Sequence, residues 1–579
     1  MSALADPLGP RNAAGAGGLL GEFNRAGVLS AADVHVATRL AALAGEGSQA
    51  VMLAIALAVR GPRLGHVLVD LATIRDTATV ESDEPVDLTA LSWPEPGDWL
   101  ASLAASPLVA LGEAEEPEPA PVRLIGTRCY LDRYWREERA VADDLNELTA
   151  SGRLEVIAGG PGTGKTTRVA RTVARLVEQG LAPGAPRGRM PLIALAAPTG
   201  KAAARLQEAV HQEAAAGAGG ERGREALMGL RGSTLHRLLG WRPGSHSRFA
   251  HHRGNRLAHD VVIVDETSMV SLWLMARLVE AVRRDARLIV VGDPGQLTSI
   301  EAGVVLGDIV SAGDVVSAGG SAIARSIVTL ERVHRYGGGI ARVADAVRRG
   351  DPDAVVAALR AAPAEVTWLD FDVAQDGGEG GLEVVRERAV AAGRAVAAAA
   401  RDRDPGAALR ALGNFRLLCA HRHGPHGVSD WTSRVRGWLA AHIEDIEARD
   451  YVGRPLLVTQ NDYELGLYNG DSGVIVEGPT GAPVAVFERG SELLQFSPLR
   501  LGAVDTVYAM TVHKSQGSQY DTAAVLLPSA SSRILTRELL YTAVTRAREE
   551  LILVGSEDAV RRAVERPVAR ASGLGDRLR

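Results

Sequence analysis

Hydrophobic positions follow different periods in different parts of the chain. Over residues 1–112, apolar side chains recur at the spacing of α-helices, and the longest apolar run there, 51–59, is too short to cross a membrane. Between about 122 and 365, short apolar runs alternate with helical stretches. The runs that we interpret as buried strands are 154–157, 192–196, 261–264 and 288–291. This alternation predicts an α/β fold built on a parallel sheet.

The second half of the chain repeats the alternation and carries an insertion of different texture. We assign a second α/β region to residues 366–579. Within it, about 450–505 is rich in turns and strand-like, with Asn469-Gly470 as a hairpin signal. This part is therefore predicted to be an inserted β unit.

The composition of residues 113–121 predicts a domain boundary. The stretch combines glutamates with prolines, which is typical of an extended and solvated linker. The linker separates the helical N-terminal region, 1–112, from the first α/β unit, 122–365.

Composition limits the class of protein more than its function. The chain has 579 residues, 46% of them hydrophobic and 23% charged, which is typical of a folded globular protein. With 64 basic and 70 acidic residues, its net charge of −6 gives no sign of nucleic-acid binding. The cysteines, Cys129 and Cys419, lack the spacing of a metal site, which fits a reducing cytoplasm. Lysine occurs only as Lys165, Lys201 and Lys514.

A glycine-rich segment directly follows the apolar run at 154–157 and fits the pattern G-x-x-x-x-G-K-[ST]. Backbone N–H groups in such a loop, and the N-terminus of the helix after it, bind phosphate oxygens. We expect Lys165 to reach the β- and γ-phosphates of ATP and the Thr166 hydroxyl to bind Mg²⁺. The residues predicted to bind the nucleotide are Gly159, Gly160, Pro161, Gly162, Thr163, Gly164, Lys165, Thr166 and Thr167.

Two further strands of the first unit lead into polar side chains of matching chemistry. Asp265 and Glu266 follow the run at 261–264, and we expect Asp265 to hold Mg²⁺ and Glu266 to orient and deprotonate the attacking water. Gln296 follows the run at 288–291 and is expected to sense the γ-phosphate. With the phosphate loop, these residues predict a site that hydrolyses ATP.

The order of these and later motifs resembles that of superfamily 1 helicases, and most closely that of the RecD family of RecBCD (exonuclease V) subunits. The resemblance covers about 122–579, and the N-terminal region is similar but less distinctive. The segments that carry it are G-G-P-G-T-G-K-T-T (159–167), A-P-T-G-K-A-A-A-R-L (197–206), T-L-H-R-L-L-G (234–240), D-E-T-S-M-V (265–270), V-G-D-P-G-Q-L (291–297), L-E-R-V-H-R-Y (330–336), T-V-H-K-S-Q-G (511–517) and Y-T-A-V-T-R-A-R (541–548).

The resemblance implies two RecA-like P-loop NTPase lobes, a helical N-terminal domain that docks a partner, and a small β-barrel insertion in the second lobe near 450–505. It implies ATP and Mg²⁺ as cofactors, single-stranded DNA lying across both lobes, and translocation from 5′ to 3′. Members of the family act with RecB and RecC as a heterotrimer on duplex DNA ends, in double-strand break repair by homologous recombination. The expected location is the cytoplasm.

The resemblance also assigns two arginines and exposes two departures. Arg335 and Arg546 match family arginines, and their guanidinium groups suit the charge that builds on the transferring phosphoryl group. Gln519 stands where an acid usually contacts the nucleotide sugar, and His334 stands where an aromatic residue often lies beside the adenine. The family pattern therefore does not predict how the sugar and the base are recognised at these two positions.

Hydroxyls, imidazoles and ammonium groups at loop ends match the family's single-strand track. Such groups contact phosphates without reading the base sequence. The predicted DNA-binding residues are Thr199, Lys201, Thr234, His236, Thr511, His513 and Lys514. The stretch 241–259 is basic with interleaved aromatic residues, a composition suited to phosphates and base stacking. It corresponds either to the small wedge hairpin that the resemblance implies or to an ordinary exposed loop.

Three other functions are compatible with parts of this pattern. A stand-alone RecD-like helicase is usually longer, with an N-terminal DNA-binding extension that 1–112 does not resemble. A restriction-type nuclease core needs a D/E-x-K element, but Thr163, Thr199 and Val512 stand two residues before the lysines, so nuclease activity is expected in a partner subunit. A nucleotide-gated binding module would not need motifs in two lobes.

Overall fold

The computed structural model describes residues 13, 15–80, 87–114, 120–178, 190–217, 220–242, 248–315, 321–330, 338–361, 364–375, 380–462, 464–489 and 492–579. Within these ranges the α-helices are α1 Gly18–Arg25, α2 Ala31–Ala44, α3 Gln49–Arg60, α4 Ile74–Thr77, α5 Pro96–Ala104, α6 Asp132–Ala150, α7 Lys165–Glu178, α8 Gly200–Ala215, α9 Glu221–Gly229, α10 Leu235–Leu238, α11 Leu272–Ala281, α12 Val305–Val315, α13 Ala322–Ser326, α14 Gly338–Arg349, α15 Pro352–Arg360, α16 Glu383–Arg401, α17 Pro405–Asn414, α18 Val428–Leu439, α19 Arg537–Val544, α20 Glu557–Glu565 and α21 Leu574–Arg577.

The β-strands within the same ranges are β1 Leu68–Asp70, β2 Val109–Leu111, β3 Val122–Ile125, β4 Arg128–Leu131, β5 Leu154–Gly159, β6 Ile193–Ala197, β7 Gly232–Thr234, β8 Val261–Val264, β9 Arg287–Gly292, β10 Ile327–Leu330, β11 Val366–Leu369, β12 Phe415–Cys419, β13 Pro455–Val458, β14 Ser472–Glu477, β15 Pro483–Arg489, β16 Glu492–Phe496, β17 Val504–Thr506, β18 Ala509–Thr511, β19 Tyr520–Leu526 and β20 Ala547–Val554. They form four sheets.

The N-terminal region packs helices against a small mixed sheet of order β1-β4-β3-β2. α3 is apolar on nearly all sides and lies at the centre of a core that includes Phe23 and Trp99. The expectation of a helical N-terminal domain is incomplete, because β1 and β2 have three residues each and are too short to show a strand period. The boundary predicted before 122 falls inside this sheet, because β3 pairs with β2. Of the predicted linker, 115–119 lie outside the described residues.

The first of two parallel sheets has the order β10-β5-β9-β8-β6-β7, and every neighbouring pair in it is parallel. The apolar residues of β8 and β9 are fully buried, because helices cover both faces of the sheet. α6, α11 and α12 contribute to the core on one face and α7 and α8 to the core on the other. We call this sheet and its helices the first lobe.

The second parallel sheet has the order β11-β20-β19-β12-β18 and is also parallel throughout. α14, α15, α19 and α20 pack on one face, and α16 and α18 lie on the other. We call this sheet and its helices the second lobe. The predicted α/β class with parallel sheets is confirmed.

An antiparallel sheet of order β16-β15-β14-β13-β17 occupies the part of the second lobe that was predicted to be an inserted β unit. Its core contains Leu456, Ile475 and Phe487. Within the described ranges β16 and β17 are the edge strands, so a closed barrel stays a prediction. The predicted basic insertion is described in part, with a bridge between Trp241 and Phe249, while 243–247 lie outside the described residues.

The last residues of the chain run from the second lobe back to the first lobe and the N-terminal sheet. The Val67 amide donates to the carbonyl oxygen of Ala571 over 2.8 Å, and Leu574 and Leu578 enter the core around α6 and α12. Nothing in the described part of the chain is both long enough and apolar enough, as a helix, to traverse a bilayer.

Candidate nucleotide and nucleic-acid site

The phosphate loop lies between β5 and α7, at the carboxyl edge of the first sheet. Gly162 and Gly164 have φ values of 78° and 85°, a left-handed conformation that lets the loop curl without a side-chain clash. The Lys165 ammonium donates to the carbonyl oxygens of Gly159, over 2.6 Å, and Gly160, over 2.9 Å. The lysine side chain therefore lies across the loop that was predicted to hold phosphates.

Two threonines after the lysine differ in their surroundings. The Thr167 hydroxyl donates to a carboxylate oxygen of Glu213 on α8 over 2.6 Å, so its side chain is held by the neighbouring helix. Thr166 is half-buried in the first turn of α7. Its hydroxyl and the Asp265 carboxylate are hard oxygen donors, which suit Mg²⁺. The Mg²⁺ ligands themselves stay a prediction.

The two predicted carboxylates directly follow β8, which lies between β6 and β9. The Glu266 amide donates to a carboxylate oxygen of Asp265 over 2.8 Å, and Glu266 adopts a left-handed φ of 51°, which is uncommon for a residue with a side chain. Burial raises the pKa of Asp265, the neighbouring Glu266 raises it further, and Lys165 opposes both. A cation bound at this carboxylate would offset the cost of burying its charge.

Gln296 lies in the buried loop after β9. Its side-chain amide donates to a carboxylate oxygen of Asp293 over 3.0 Å, which fixes the side chain. Its side-chain carbonyl oxygen is buried and has no hydrogen-bond partner among the described residues. A buried acceptor without a partner is rare in folded proteins and often marks a functional position. The role of Gln296 towards the γ-phosphate stays a prediction.

Of the two predicted arginines, Arg546 is buried within the second lobe. Its guanidinium donates to the carbonyl oxygens of Thr542 and Ser518, over 2.9 and 3.0 Å, and to the Thr545 hydroxyl. All of these bonds lie inside the second lobe, so they position the arginine without joining it to the phosphate loop. Arg335 and His334 lie outside the described residues.

The three predicted DNA-contacting threonines each cap a turn. The hydroxyl oxygens of Thr199, Thr234 and Thr511 each accept a backbone N–H bond over 3.2 Å. A hydroxyl that accepts such a bond still has its hydrogen free to donate, which suits a phosphate oxygen. These threonines follow or end β6, β7 and β18, so they lie at the carboxyl edges of the two parallel sheets.

The two lysines predicted to contact DNA differ in environment. Lys514 is exposed, whereas Lys201 is partly buried in the first turn of α8. Burial and the adjacent Arg205 and Arg416 lower the pKa of Lys201 to about 7, against an opposing effect of Asp471. Lys201 is therefore a cation whose charge changes near neutral pH.

Both predicted histidines are partly buried. Burial lowers the pKa of His236 and of His513. The centroid of the His236 ring lies 5.8 Å from the centroid of the Phe249 ring and 6.5 Å from that of the Trp273 ring. At neutral pH both imidazoles are therefore mostly uncharged, and His236 lies within stacking range of two aromatic rings.

Sequence reasoning missed contacts that join the motifs of the two lobes. The Arg205 guanidinium of α8 donates to the carbonyl oxygen of Gly517 in the second lobe. The Tyr468 ring of the inserted sheet lies against Gly200, where an added Cβ would be 3.0 Å from the ring. Arg205, Gly200 and Gly517 stand inside the motifs already identified, but nothing in the sequence indicated which residues they meet.

Models of known families match three parts of the chain. They are the AAA domain over residues 143–302, the UvrD-like helicase C-terminal domain over 506–554, and the N-terminal domain of the RecBCD enzyme subunit RecD over 25–130.

The chain is similar over nearly its whole length to the RecBCD enzyme subunit RecD of Mycolicibacterium smegmatis, with 47% identity over 95% of this chain and 98% of that protein. The same subunit of Mycobacterium tuberculosis is 47% identical over 97% of each chain. The ATP-dependent RecD2 DNA helicase of Deinococcus radiodurans is 31% identical over 76% of this chain and 52% of its own length.

Among solved structures, Bacteroides Pif1 bound to single-stranded DNA is 16% identical, with a TM-score of 0.38, over 72% of this chain and 91% of that one. The Pif1 helicase from Candida albicans is 15% identical, also with a TM-score of 0.38, over 72% of this chain and 93% of that one.

The phosphate loop, the carboxylates after β8, the matches to the AAA domain and the UvrD-like helicase C-terminal domain, and the RecD relatives together define an ATP-hydrolysing DNA helicase of superfamily 1. With 47% identity across almost the entire length of its relatives, the chain belongs to the RecD family of RecBCD enzyme subunits.

Proposed function

We propose that this chain is the 5′-to-3′ motor subunit of a RecBCD-type helicase–nuclease, working with RecB and RecC on duplex DNA ends during recombinational repair of double-strand breaks. The observation that carries the proposal is the full-length match to RecBCD enzyme subunits, at 47% identity over 95% of the chain. The nuclease activity belongs to a partner in this scheme, because none of the three lysines stands in a D/E-x-K element.

In the proposed reaction, the first lobe binds ATP and the second lobe responds to it. Lys165 binds the β- and γ-phosphates, and Thr166 and Asp265 hold Mg²⁺, which neutralises charge on the phosphate oxygens when bound. Glu266 accepts a proton from the attacking water. Arg335 and Arg546 balance the charge that builds on the transferring phosphoryl group. Gln296 senses whether the γ-phosphate is present.

Single-stranded DNA is proposed to lie along the carboxyl edges of both sheets. Thr199, Lys201, Thr234 and His236 contact its phosphates from the first lobe, and the second lobe contributes Thr511, His513 and Lys514. Because these groups bind the backbone rather than base edges, the motor moves along any sequence. A change in the distance between lobes during the ATP cycle then moves the chain along the strand.

The closest alternative is a stand-alone helicase, which the likeness to the RecD2 helicase raises. This chain spans about half the length of that protein, 52%, but nearly the whole of the RecBCD subunits, which favours the subunit. Co-expression with RecB and RecC followed by native mass spectrometry tests the choice. We expect a 1:1:1 complex, and a chain that unwinds DNA alone and forms no complex would support the stand-alone helicase.

Activity is tested by ATPase measurements with and without single-stranded DNA, on the isolated chain and on the complex. We expect stimulation by DNA that the Lys165→Ala variant lacks. Polarity is measured by displacement of streptavidin from biotin at either end of an oligonucleotide, with faster displacement expected from the 3′ end. No DNA-stimulated ATPase in either form would overturn the proposal.

A further inference from the structure

One residue of the first lobe has both of its backbone polar groups bound by side chains of the second lobe. The amide of Leu297 donates to the Thr542 hydroxyl over 2.8 Å, and the Gln516 side-chain amide donates to the carbonyl oxygen of Leu297 over 2.7 Å. Leu297 and Thr542 are buried, with 6% and 0% of their surface exposed. Buried bonds of this kind are costly to break, because water cannot replace the lost partner.

A tyrosine next to Thr542 extends the same contact to the phosphate loop. The Tyr541 hydroxyl lies 2.8 Å from the position that a Cβ on Gly160 would occupy, and a carbon of its ring lies 3.5 Å from that of Gly295. Tyr541 is 4% exposed. The ring therefore fits against two first-lobe glycines, one in the phosphate loop and one in the loop 293–297.

In space, the loop 293–297 lies between the nucleotide-binding motifs of the first lobe and the segments of the second lobe that are predicted to contact DNA. It contains Gln296, whose side chain binds Asp293 and whose buried side-chain carbonyl oxygen has no partner among the described residues. On the second-lobe side, Gln516 stands two residues after Lys514, and Thr542 is bound through its carbonyl oxygen by Arg546. The contact thus connects the sensor of the first lobe to the segments of the second lobe predicted to contact DNA and phosphate.

We propose that Gln516, Tyr541 and Thr542 form an inter-lobe latch that positions the loop 293–297 and thereby couples DNA binding to ATP turnover. The proposal rests on the motor function proposed above. These three are positioning residues, acting on the nucleotide through Leu297 and Gln296. Movement of the second lobe on DNA pulls on the Leu297 backbone and so shifts Gln296 at the phosphate loop.

Thr542→Val tests the latch because valine has nearly the same shape and lacks the acceptor oxygen. We expect the ratio of DNA-stimulated to basal ATPase to fall about tenfold, mainly through kcat, with a much smaller change in the KM for ATP. Thr542→Ser restores the acceptor and should restore the ratio. Ser556→Ala is the matched control, since Ser556 accepts the Ala559 amide inside the second lobe and caps α20. It should lower the melting temperature without lowering the ratio.

A second measurement does not depend on activity. Hydrogen exchange of the full-length chain, followed on a peptide covering 293–299, should be faster in Thr542→Val and slow in wild type and Thr542→Ser, because the Leu297 amide loses its partner. A Gln516→Leu and Thr542→Val double variant should lose less than the product of the single effects, since both act on one residue.

Failure of the latch is distinguishable from failure of the motor function. Wild-type protein with no DNA-stimulated ATPase would defeat the motor function itself. DNA stimulation that is normal in wild type and unchanged in Thr542→Val would overturn the latch alone. So would unchanged exchange at Leu297, or a ratio in Ser556→Ala that falls as far as in Thr542→Val.

Discussion

The two parallel sheets of this helicase have the same topology and different chemistry. We number the strands β5 to β9 of the first sheet from one to five along the chain. Their order across the sheet is then one, five, four, two, three, and β10 lies at the edge beside β5. The second sheet has the same order across the sheet, one, five, four, two, three, when its strands are numbered along the chain as β11, β12, β18, β19 and β20. β11 is therefore the topological equivalent of β5, and β18 of β7. Each lobe brings corresponding loops to its carboxyl edge.

The loops after the equivalent strands β5 and β11 have opposite character. β5 leads into the phosphate loop, whereas β11 leads into Asp370 and Asp372. The Glu557 amide donates to Asp370 over 2.8 Å, and the side chain of His426 contacts Asp372 over 2.8 Å. Carboxylates at this position repel phosphate and are used to hold the second lobe together. Phosphate binding therefore depends on the loop sequence and not on the sheet.

The loops after β7 and β18, in contrast, have the same pattern. Thr234-Leu235-His236 ends one strand and Thr511-Val512-His513 the other, and both threonines accept an N–H bond in the turn that follows. These are predicted DNA contacts in both lobes. The comparison indicates that the phosphate loop and the carboxylates that follow β8 have no counterpart at the equivalent positions of the second lobe, whereas the threonines predicted to contact DNA occur in both lobes.

The largest effect is expected from substituting the lysine of the phosphate loop, which has no counterpart after β11 in the second lobe. Lys165→Ala should lower the ATPase rate by about 1000-fold, because the ammonium that balances phosphate charge is lost. Lys165→Arg should fail as well, since the broader guanidinium does not fit between the carbonyl oxygens of Gly159 and Gly160. Asp370→Asn, at the equivalent place in the second lobe, is the control and should retain the rate. An equal loss of ATPase rate in Lys165→Ala and Asp370→Asn would contradict the difference between the loops after β5 and β11.

A smaller effect is expected at the carboxylate after β8. Glu266→Gln should lower the ATPase rate by about 100-fold and leave nucleotide binding intact, because the amide cannot accept the proton of the attacking water. Binding of a fluorescent ATP analogue and single-turnover hydrolysis measure the two separately. β19, the equivalent of β8, leads into Leu527 and Pro528, so the second lobe has no carboxylate there to substitute. A variant that loses binding and hydrolysis equally would assign Glu266 to binding.

Local motifs explain how much of the site the sequence could predict. Asp265 and Glu266 directly follow β8, and Lys165 begins α7 after the short loop that leaves β5. A strand and a short loop are therefore enough to predict the phosphate loop and the carboxylates of the first lobe. The latch could not be predicted, because Leu297 and Thr542 are 245 residues apart and their bond depends on how two lobes pack. The shifted pKa of Lys201 depends likewise on Arg416, which comes from the other lobe.

Substitution of the threonines at the ends of the equivalent strands β7 and β18 should have moderate and equal effects on DNA binding. Thr234→Val and Thr511→Val should each weaken binding of single-stranded DNA by about fivefold, as expected for one lost hydrogen bond to a phosphate. Each also removes a cap and should lower the melting temperature, whereas the serine variants should restore both properties. Fluorescence anisotropy with a labelled oligonucleotide gives the affinity. A loss confined to one lobe would break the symmetry between β7 and β18.

The smallest expected effect is a pH dependence of DNA affinity that comes from a lysine of the first lobe and not from the lysine of the second lobe. Because the pKa of Lys201 is lowered to about 7, its ammonium is charged below that pH and neutral above it. Only the charged form attracts phosphate, so affinity for single-stranded DNA should fall about threefold between pH 6 and pH 8.5 at constant salt. Lys201→Gln should bind more weakly at pH 6 and with a flatter pH profile. Lys514→Gln in the second lobe should weaken binding at every pH and keep the wild-type slope, since it leaves Lys201 in place. A slope that survives in Lys201→Gln would place the titrating group elsewhere.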